Sequence, residues 1–503
     1  MKRYLIALLL LSSLVFIAYS PSLPASAASD DLSTEASSKI SEFEASAFIM
    51  SDGTYWVWGD QQSVPTKVQG IKDAVASFGG WLVVSKNGSV SYVERDRYFP
   101  SVILTQPVEG LREVVSIHPG WSGWFAVDSI GQVYNLPNKV GRSPAVLAID
   151  EVTLIPGIEN VQDIVPYYEI DEENNYISGS IFLKKDGTVW RNTKELESFE
   201  PVSSLSNVVD IEHNMILKED GTVWSLLINS RTSVIATKVE GLINIRSIIS
   251  NGRTHLAVDD DNQLWFWGET LTGTSDGTMP HTNKTPIRLS GIKNVTNAYL
   301  IERYIVAFTD DGNMYDTSTN RESMPSDAKF EHLTSDVVKV QAGSRHLIMQ
   351  KSDGTLWGWG VNKNAQLGLG DYEFMREKPT PMQPPIEIVL NGNSVALTTG
   401  VIIRNGQAFI PLRSVFEQMG AKPEWNAADK KVTIERKSEG KPSVTILVKY
   451  TSGEVYLNGT ATPSVNKPFI IQNTSYLPLR LISELLGAKV VWVKEQRKIV
   501  INS

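Results

Sequence analysis

The sequence predicts a mainly β protein, in which a β-propeller of seven or eight blades, with eight favoured, precedes a C-terminal α+β domain of two 67-residue repeats. Three observations lead to this fold class. A short hairpin recurs along most of the chain. Its turn positions are 34 to 56 residues apart, and a period of about 20 to 50 residues is typical of solenoids and propellers. Residues 386–503 carry instead two copies of a different pattern at an ungapped offset of 67.

The hairpin is clearest in the stretch GSRHLIMQKSDGTLWGWGVNKNAQLGLG at residues 343–370. Two short apolar strands, 347–349 and 356–359, flank Asp353 and Gly354. An Asp-Gly pair favours the left-handed backbone of a type I′ turn, whose twist matches that of paired strands. The turn positions of the eight copies are Gly53, Gly88, Gly131, Gly187, Gly221, Asn262, Gly312 and Gly354.

The segments between the hairpins supply the other strands of each unit. They share a Pro or Lys, an apolar residue, often Gly-Ile or Gly-Leu, and then an apolar strand, as in PVEGLREVVSIHPG at residues 107–120. Each period therefore holds about four short strands, which is the content of a propeller blade. One blade cannot bury its own faces, so the units are expected to stack in a ring.

The repeat resembles the regulator of chromosome condensation family of propellers. The resemblance rests on Gly343–His346, on Leu356–Gly360 and on Asn364–Gly370, and a second good copy is Trp265-Phe266-Trp267-Gly268 after His255. It covers about residues 40–383 and implies a propeller fold. It does not imply an activity, because function in such folds lies in the variable rim loops.

The sequence is compatible with either seven or eight blades. Members of that family commonly have seven, whereas eight hairpins are present here. Residues 379–383, PTPMQ, are similar to residues 65–69, PTKVQ, and would close the ring if they supplied an outer strand to the first blade. We therefore predict the propeller at residues 40–378 and a Pro-rich joint with a possible closing strand at residues 379–385.

Residues 1–27 have the features of a secretory signal peptide. Lys2-Arg3 precedes an apolar run of 16 residues, which is short for a bilayer span, and a small-residue cleavage site ends at Ala27. Residues 28–39 are rich in Ser, Ala and Asp and are expected to be a disordered lead-in. No second apolar run is long enough to span a membrane. The mature protein is therefore expected to be secreted or associated with the cell wall.

Composition limits the partners and the sources of stability. The chain has no cysteine, which excludes a disulfide framework. The net charge is −9, or −11 without the two basic residues of the leader. An acidic chain is a poor nucleic-acid binder, because such binding needs a basic face. An unknown extracellular protein or a cell-wall glycan is the expected partner.

One segment interrupts the propeller repeat. Residues 166–178, PYYEIDEENNYIS, are acidic and aromatic and lie in the longest interval between turns. We interpret them as a surface insertion, with a contact loop or a weak Ca²⁺ site as the alternative. The acidic residues lack the spacing and the glycine of a known calcium loop.

The second repeat predicts a duplicated strand–helix–strand unit at residues 386–503. Each copy places Pro near the start of a helix and Gly just past its end. In the first copy, the helix presents one apolar face at positions i, i+3, i+4 and i+7. The residues of that face are Leu412, Val415, Phe416 and Met419. The pairs that define the repeat are Leu390 with Leu457, Pro411 with Pro478, Arg413 with Arg480, Gly420 with Gly487, and Trp425 with Trp492.

This pattern is similar to the copper amine oxidase N-terminal-like domain, also called the stalk domain. The resemblance implies no copper, because in the oxidases this domain is remote from the metal. A copper(II) site needs several imidazoles. The chain has six, none in a closely spaced pair: His118, His213, His255, His281, His332 and His346. The sequence Asn175-Tyr176-Ile177 also lacks the acidic residue of the quinone motif.

No catalytic constellation is predicted. The chain has neither a phosphate-binding loop ending in Lys-Ser/Thr nor a GxSxG elbow. His255 and His346 recur at one repeat position and are interpreted as structural. Arg413 and Arg480 are expected to join helix to sheet, with carboxylate binding as the alternative. The repeated tryptophans are expected to pack the blades rather than to stack on sugars: Trp58, Trp190, Trp224, Trp265 and Trp357.

These observations favour a non-catalytic binding or display protein, secreted or on the cell envelope. The propeller loops would bind a protein or glycan, and the stalk repeats would act as spacer or wall attachment. The alternatives are a secreted inhibitor of a β-lactamase or protease and a polysaccharide-active enzyme with carboxylates in the central channel. No catalytic, metal, cofactor or ligand-binding residue is assigned, and no cofactor is expected. Nucleotide exchange and chromatin binding, known for some members of the condensation-regulator family, are not expected after export.

Overall fold

A computed structural model describes residues 39–95, 102–120, 122–139, 147–170, 176–192, 196–230, 233–273, 277–437, 443–462 and 467–503. The predicted signal peptide and nearly all of the lead-in lie outside these residues. In the described part of the chain, eight four-stranded sheets follow one another and three further sheets form the C-terminal region. The mainly β fold class with propeller-type sheets is confirmed. The number of blades in a closed ring stays a prediction.

The first four sheets occupy residues 40–201. Their strands are β1 (Ile40–Phe43), β2 (Ala47–Met50), β3 (Tyr55–Gly59), β4 (Gln62–Lys67), β5 (Ala74–Phe78), β6 (Leu82–Ser85), β7 (Ser89–Glu94), β8 (Leu104–Arg112), β9 (Val114–Pro119), β10 (Gly123–Asp128), β11 (Val133–Pro137), β12 (Thr153–Leu154), β13 (Val161–Ile170), β14 (Tyr176–Lys184), β15 (Val189–Asn192) and β16 (Phe199–Pro201). Each sheet takes four consecutive strands in chain order.

The next four sheets repeat the same connectivity. Their strands are β17 (Val208–Glu212), β18 (Met215–Lys218), β19 (Val223–Ser230), β20 (Ser233–Lys238), β21 (Ile245–Ser250), β22 (Thr254–Asp259), β23 (Leu264–Thr272), β24 (Met279–Arg288), β25 (Val295–Ile301), β26 (Tyr304–Thr309), β27 (Met314–Ser318), β28 (Glu331–Thr334), β29 (Val337–Ala342), β30 (His346–Lys351), β31 (Leu356–Val361) and β32 (Met375–Pro381).

The chain packs into two compact units. In the described residues, the first unit comprises Asn87–Val90 and Pro107–Val338, and so holds the third to seventh sheets. The second unit comprises residues 39–86, Ser91–Gln106 and Lys339–Ser503. It holds the first sheet, most of the second and eighth sheets, and the C-terminal region.

The hairpin turns have a different form from the type I′ turn that the Asp-Gly pairs predict. In the first hairpin, the amide of Gly53 donates to the carbonyl of Met50, and the amide of Met50 donates to the carbonyl of Thr54. The loop therefore has three residues, and only its glycine is left-handed, with φ 78°. This is a turn followed by a one-residue bulge. The eight predicted turn positions all have positive φ, so their places are confirmed and the turn type was wrong.

The Asp of these turns has a second role that the repeat alone did not reveal. Asp353 Oδ1 accepts from the amide of Thr355 at 2.9 Å and from its hydroxyl at 2.7 Å. The indole Nε1 of Trp357 in turn donates to Thr355 Oγ1 at 3.0 Å. The same relay recurs in three other hairpins. Its members there are Asp52, Thr54 and Trp56; Asp186, Thr188 and Trp190; and Asp220, Thr222 and Trp224.

In the first unit, the first strands of consecutive sheets lie beside one another, from β9 through β13, β17 and β21 to β25. Each of these first strands is paired with the second strand of its own sheet, and the register of the pairing shifts near one end. Apolar side chains fill the space between neighbouring sheets. One such cluster contains Val127, Val133, Ile155, Val161 and Phe182.

The interruption at residues 166–178, which we interpreted as a surface insertion, contains strand at residues 166–170 and 176–178. Strands β13 and β14 continue through most of it, with Tyr167 opposite Gly179 and Ile170 opposite Tyr176. Residues 171–175 lie outside the described part of the chain. The described residues contain no group of three or more His, Cys, Asp or Glu that could hold a metal ion.

In the second unit, the first and last propeller-type sheets pack together. The indole Nε1 of Trp58 donates to the carbonyl of Gln366 at 2.7 Å. Phe48 and Trp58 share an apolar cluster with Ile348 and Leu367. The predicted strand exchange does not occur, because β4 already gives the first sheet a fourth strand and residues 379–381 end β32, which pairs with β31 in the last sheet.

The C-terminal region folds as two intertwined repeats. Its elements are β33 (Glu387–Leu390), β34 (Asn393–Ser394), β35 (Ile402–Arg404), β36 (Gln407–Pro411), α1 (Leu412–Phe416), β37 (Ala421–Asn426), β38 (Lys431–Arg436), β39 (Val444–Lys449), β40 (Val455–Leu457), β41 (Thr460–Thr462), β42 (Phe469–Ile471), β43 (Thr474–Pro478), α2 (Leu479–Leu485), β44 (Lys489–Val493) and β45 (Lys498–Asn502). The sheet orders are β34-β33-β45-β44, β35-β36-β43-β42 and β37-β38-β39-β40-β41.

Strands from the two repeats pair with each other in all three sheets. In the middle sheet, Ile410 lies opposite Leu477, its own counterpart 67 residues later. Phe409 lies opposite Pro478, and Pro411 lies opposite Tyr476. Because this register is reciprocal, the two strands are related by a local two-fold rotation centred between Ile410 and Leu477. The repeats therefore form one core rather than two separate domains.

The predicted helices are present, and their caps match the sequence signals. Pro411 and Pro478 precede α1 and α2, while Gly420 and Gly487 follow them with φ of 76° and 85°. The first helix is only five residues long, so Met419 lies beyond its end. All four residues of its predicted apolar face are nevertheless buried. No helix in the described part of the chain is long and apolar enough to cross a membrane.

Candidate functional site

A cavity of about 1080 Å³ lies in the second unit. The last propeller-type sheet, residues 382–386 and the second C-terminal repeat all contribute to it. Its wall is largely apolar. The apolar lining includes Ile40, Phe48, Leu356, Met382, Leu479, Val490, Trp492 and Ile499. A largely apolar cavity of this size with a few polar groups is the usual form of a small-molecule site.

The Pro-rich joint forms one side of this cavity and is fixed at several points. The amide of Met382 donates to the carbonyl of Leu356 at 2.9 Å. Gln383 Oε1 accepts from the amide of Ile403 at 2.9 Å, and its Nε2 donates to the carbonyl of Ile403 at 3.3 Å. These bonds tie the joint to β31 and to the neighbourhood of β35. The cavity is therefore bounded by segments that the fold holds in place.

Charged groups lie around the apolar wall. Arg480, Glu484, Lys494 and Glu495 line the cavity and are exposed, whereas Arg497 is half-buried. Within the described residues, the Arg497 guanidinium has no hydrogen-bond or ion-pair partner. Burial alone lowers the pKa of Arg497, with no nearby carboxylate to offset it. A half-buried cation without an anion is costly, because removal from water penalises its charge.

The sequence predicted that the two helix arginines join helix to sheet. In the structure, both side chains are instead exposed. The Arg413 side chain is 76% exposed and lies 3.9 Å from Glu417 on the same helix. Arg480, its counterpart, is also exposed but lines the cavity. Trp425 and Trp492 differ in the same way: they are 38% and 41% exposed, and only Trp492 lines the cavity. The repeat is symmetric in sequence, but only its second copy contributes these residues to the cavity.

A second polar cluster lies on the first strands of the first unit. Ser116 Oγ is 2.8 Å from His118 Nε2, and His118 Nδ1 is 2.9 Å from Asp163 Oδ1. Both His118 and Asp163 are buried. The geometry fits an Nδ1–H that donates to the carboxylate while Nε2 accepts from the serine hydroxyl. This is the polarity of a Ser–His–Asp chain, although Ser116 lines none of the cavities described.

Two further carboxyls extend this cluster. Burial raises the pKa of Asp210 to about 7, and the charge of Asp163 adds to the effect. Burial also raises the pKa of Glu212 to about 8, with additional repulsion from Asp210 and Asp163. Glu212 is therefore largely protonated at neutral pH. A protonated carboxyl beside ionisable ones can act as a proton donor.

The repeated histidines and tryptophans lie in packed positions. His255 Nδ1 is 2.8 Å from Ser250 Oγ, and His346 Nε2 donates to the carbonyl of Ala45 at 3.0 Å. Trp58 is fully buried. Trp190, Trp224 and Trp265 pack partly buried against the apolar clusters between sheets, and Trp357 lies under the ammonium of Lys351 at 5.2 Å.

The polar cluster around His118 and Asp163 was not predicted, although the sequence contains a signal for it. In the first strands of the third to seventh sheets, the residue two places after the initial Val or Ile is polar. The first unit has Ser116, Asp163, Asp210, Ser247 and Asn297 at this position. Alternate residues of a strand face the same side. A polar residue at this place in successive units thus marks a shared polar surface.

Comparison with known proteins supports both resemblances. The family model described as copper amine oxidase N-terminal domain matches residues 389–501. The model described as regulator of chromosome condensation (RCC1) repeat matches residues 353–391, the region of the clearest hairpin. The chain therefore carries a repeat of the second type and a domain of the first type. No curated protein matches the chain.

Several solved structures are similar to the chain at low sequence identity. Yeast RCC1 (Prp20), in complex with Kap60, is 17% identical, with 54% of this chain and 75% of that chain covered and a TM-score of 0.38. Human WBSCR16 is 16% identical, with 66% and 95% covered and a TM-score of 0.42. The computationally designed Ika8 protein is 13% identical, with 70% and 96% covered and a TM-score of 0.33. Similarity at this level carries no information about activity.

Proposed function

We propose that the protein is a non-catalytic binding and display protein, secreted or held at the cell envelope, with the C-terminal region as its attachment module. The observation that carries this proposal is a split in charge. Residues 386–503 contain 15 Lys and Arg against 9 Asp and Glu, a net charge of +6, whereas residues 1–385 contain 32 against 47, a net charge of −15. A basic module favours anionic polymers, and the acidic remainder is repelled from them.

Two surface features support a contact at the C-terminal region. Trp425 and Trp492 are exposed at equivalent places in the two repeats. They lie on β37 and β44, which are edge strands of their sheets. Exposed tryptophan provides a large amphipathic contact surface and is enriched at binding sites. Basic groups with exposed aromatic rings fit an anionic glycan of the cell wall, and the propeller-type sheets would then present their loops to a further protein or glycan.

This proposal predicts that wall binding depends on the charge of the C-terminal region. Purified protein mixed with isolated cell walls should sediment with them in low salt and be released at about 1 M NaCl, because salt screens exposed charges. Four substitutions to Glu at exposed C-terminal lysines should leave the protein in the supernatant. The four lysines are Lys422, Lys430, Lys489 and Lys494.

A matched control has the same change in net charge outside the C-terminal region. Substitution of Lys72, Lys86, Lys293 and Lys329 by Glu alters four exposed lysines of the propeller-type sheets. This variant should sediment like the wild type. Equal release of both variants would show that net charge alone controls binding, and retention of the C-terminal variant on the walls would refute the attachment role.

A polysaccharide hydrolase is the second candidate, and the carboxyl cluster of the first unit favours it. Glu212 would give its proton to the leaving oxygen while Asp210 accepts a proton from the attacking water, so that the glycosidic bond breaks as the new C–O bond forms. On this hypothesis, purified protein should release reducing ends from cell-wall polysaccharide, and Glu212→Gln should abolish the release. Glu219→Gln, an exposed change in the same sheet, should have no effect. No release between pH 5 and pH 8 would eliminate this candidate.

A further inference from the structure

The cavity in the second unit has the features of a site for a ligand with a long apolar part. Phe48, Leu356 and Met382 line it from the propeller-type sheet side, and Val490 and Ile499 line it from the C-terminal repeat. Apolar surface left in contact with water is unfavourable, and an apolar ligand removes that cost at about 25 cal/mol per Å². The cavity volume of about 1080 Å³ is slightly above the usual range for small-molecule sites, which leaves room for a long ligand.

One cation at this cavity lacks the counter-charge that its surroundings require. The backbone of Arg497 is fixed in the turn between β44 and β45: its amide donates to the carbonyl of Lys494, and its carbonyl accepts from the amide of Glu387, both at 3.1 Å. The Glu387 carboxylate is already bonded to Lys67 at 2.6 Å and to Ser394 at 2.6 Å. The backbone of Arg497 is thus fixed beside the cavity that its side chain lines, and no carboxylate of the described residues pairs with its guanidinium.

The first repeat shows that this arrangement is not a general feature of the fold. The residue that corresponds to Arg497 is Lys430, and both have a left-handed backbone, with φ of 49° and 47°. The carbonyl of Lys430 accepts from the amide of Tyr450 at 3.0 Å, so its turn is anchored in the same way. Lys430 is exposed and lines no described cavity. The arginine is therefore specific to the copy that borders the apolar wall.

We propose that this cavity binds an amphiphile that has a linear apolar chain and an anionic head, with the chain against the apolar wall and the carboxylate or phosphate at Arg497. Arg480 and Lys494 are exposed cations at the rim, and the acidic groups there, Glu484 and Glu495, are also exposed to solvent. A guanidinium suits both kinds of head, because it can form two parallel hydrogen bonds to either. The proposal goes beyond the wall attachment proposed above and does not depend on it.

Calorimetry on the full mature protein tests the proposal with three probes of equal chain length: dodecanoate, dodecyl phosphate and dodecanol. We expect the two anions to bind at least tenfold more tightly than the alcohol. Shortening dodecanoate to decanoate should weaken binding about tenfold, since two buried methylene groups are lost. Tight binding of dodecanoate alone would assign a fatty-acid type of ligand. Tight binding of dodecyl phosphate alone would assign a phospholipid type. Either result supports the site.

The variants separate the site from the fold. Arg497→Gln should weaken the anions about tenfold and leave dodecanol unchanged, because the substitution removes a charged hydrogen bond. Lys430→Gln is the matched control and should leave the affinities of all three probes unchanged. Ala408→Phe should block the cavity for all three probes, whereas Ala461→Phe, on the exposed strand β41, should not.

Three results would overturn the proposal. They are anions that bind no more tightly than dodecanol, an equal loss of affinity in Arg497→Gln and Lys430→Gln, and unchanged binding in Ala408→Phe that retains the wild-type melting temperature. Because these measurements use purified protein in solution, they are independent of the sedimentation assay. Wall attachment can therefore fail while the cavity site stands, and the reverse also holds.

Discussion

The free energy of unfolding should fall as the pH rises from about 6.5 to 8. The pKa values of Asp210 and Glu212 are raised to about 7 and about 8 in the folded chain, so the fold keeps protons that the unfolded chain releases above its ordinary carboxyl pKa. When the native state binds more protons, stability decreases with increasing pH. Each carboxyl contribution is lost between its unfolded and folded pKa. Below about pH 6.5 this loss is opposed, because burial lowers the pKa values of His213, His255 and His346 and their protonation favours the unfolded chain. The expected loss is about 2–4 kcal/mol.

Urea unfolding at several pH values checks this effect. Glu212→Gln should flatten the pH dependence and stabilise the protein at pH 8, because a neutral amide replaces a carboxyl that ionises unfavourably. A smaller slope should remain, since Asp210 and Glu44 also have raised pKa values, that of Glu44 at about 7. Glu219→Gln alters an exposed carboxylate of the same sheet and should leave the slope unchanged. A Glu212→Gln protein with the wild-type slope would contradict the assignment.

Trp58→Ala should be the most destabilising single substitution among the repeated tryptophans. Its side chain is fully buried in the second unit, and its ring centroid lies 5.7 Å from that of Phe48. Its indole Nε1 donates to the carbonyl of Gln366. Loss of a buried tryptophan costs about 3–5 kcal/mol, because apolar contacts are lost and a cavity remains. The change also leaves a carbonyl without its donor.

Thermal unfolding and hydrogen exchange test this prediction. Trp357→Ala is the matched control, because Trp357 lies on the surface of its hairpin beneath Lys351. Its loss should cost only about 1 kcal/mol, the scale of a surface cation–π contact. Trp58→Ala should also speed amide exchange at residues 364–370, where Gln366 lies. Equal melting temperatures for the two variants would show that the first and last sheets are not held together through Trp58.

Local chemistry explains why most of the fold was predictable. The glycines at Gly53 and Gly354 are needed because their backbone is left-handed, and a residue type tied to one conformation is visible in the sequence. The offset of 67 predicted two equivalent helices because Pro411 and Pro478 mark their starts. The turn type was wrong because the Asp side chain bonds to the residue two places on and stays out of the left-handed region.

The candidate sites are formed by residues that lie far apart in the chain. For that reason they were not predictable from local sequence patterns. His118 and Asp163 are far apart in the chain and meet because β9 and β13 are neighbours. The cavity combines Phe48, Met382 and Arg497, which no motif connects. The strand exchange was inferred from similar short sequences at residues 65–69 and 379–383. That similarity reflects their equivalent places in the first and last sheets, not a shared sheet.

The reciprocal pairing of Ile410 with Leu477 has an evolutionary consequence. A polypeptide with a single copy of the 67-residue unit would leave the edge of β36 open. The same edge on a second molecule would satisfy it, because the pairing is self-complementary across the two-fold relation. The ancestor of this region is therefore expected to have been a homodimer. Duplication and fusion then made the two halves one chain, and each half became free to diverge, as Lys430 and Arg497 have done.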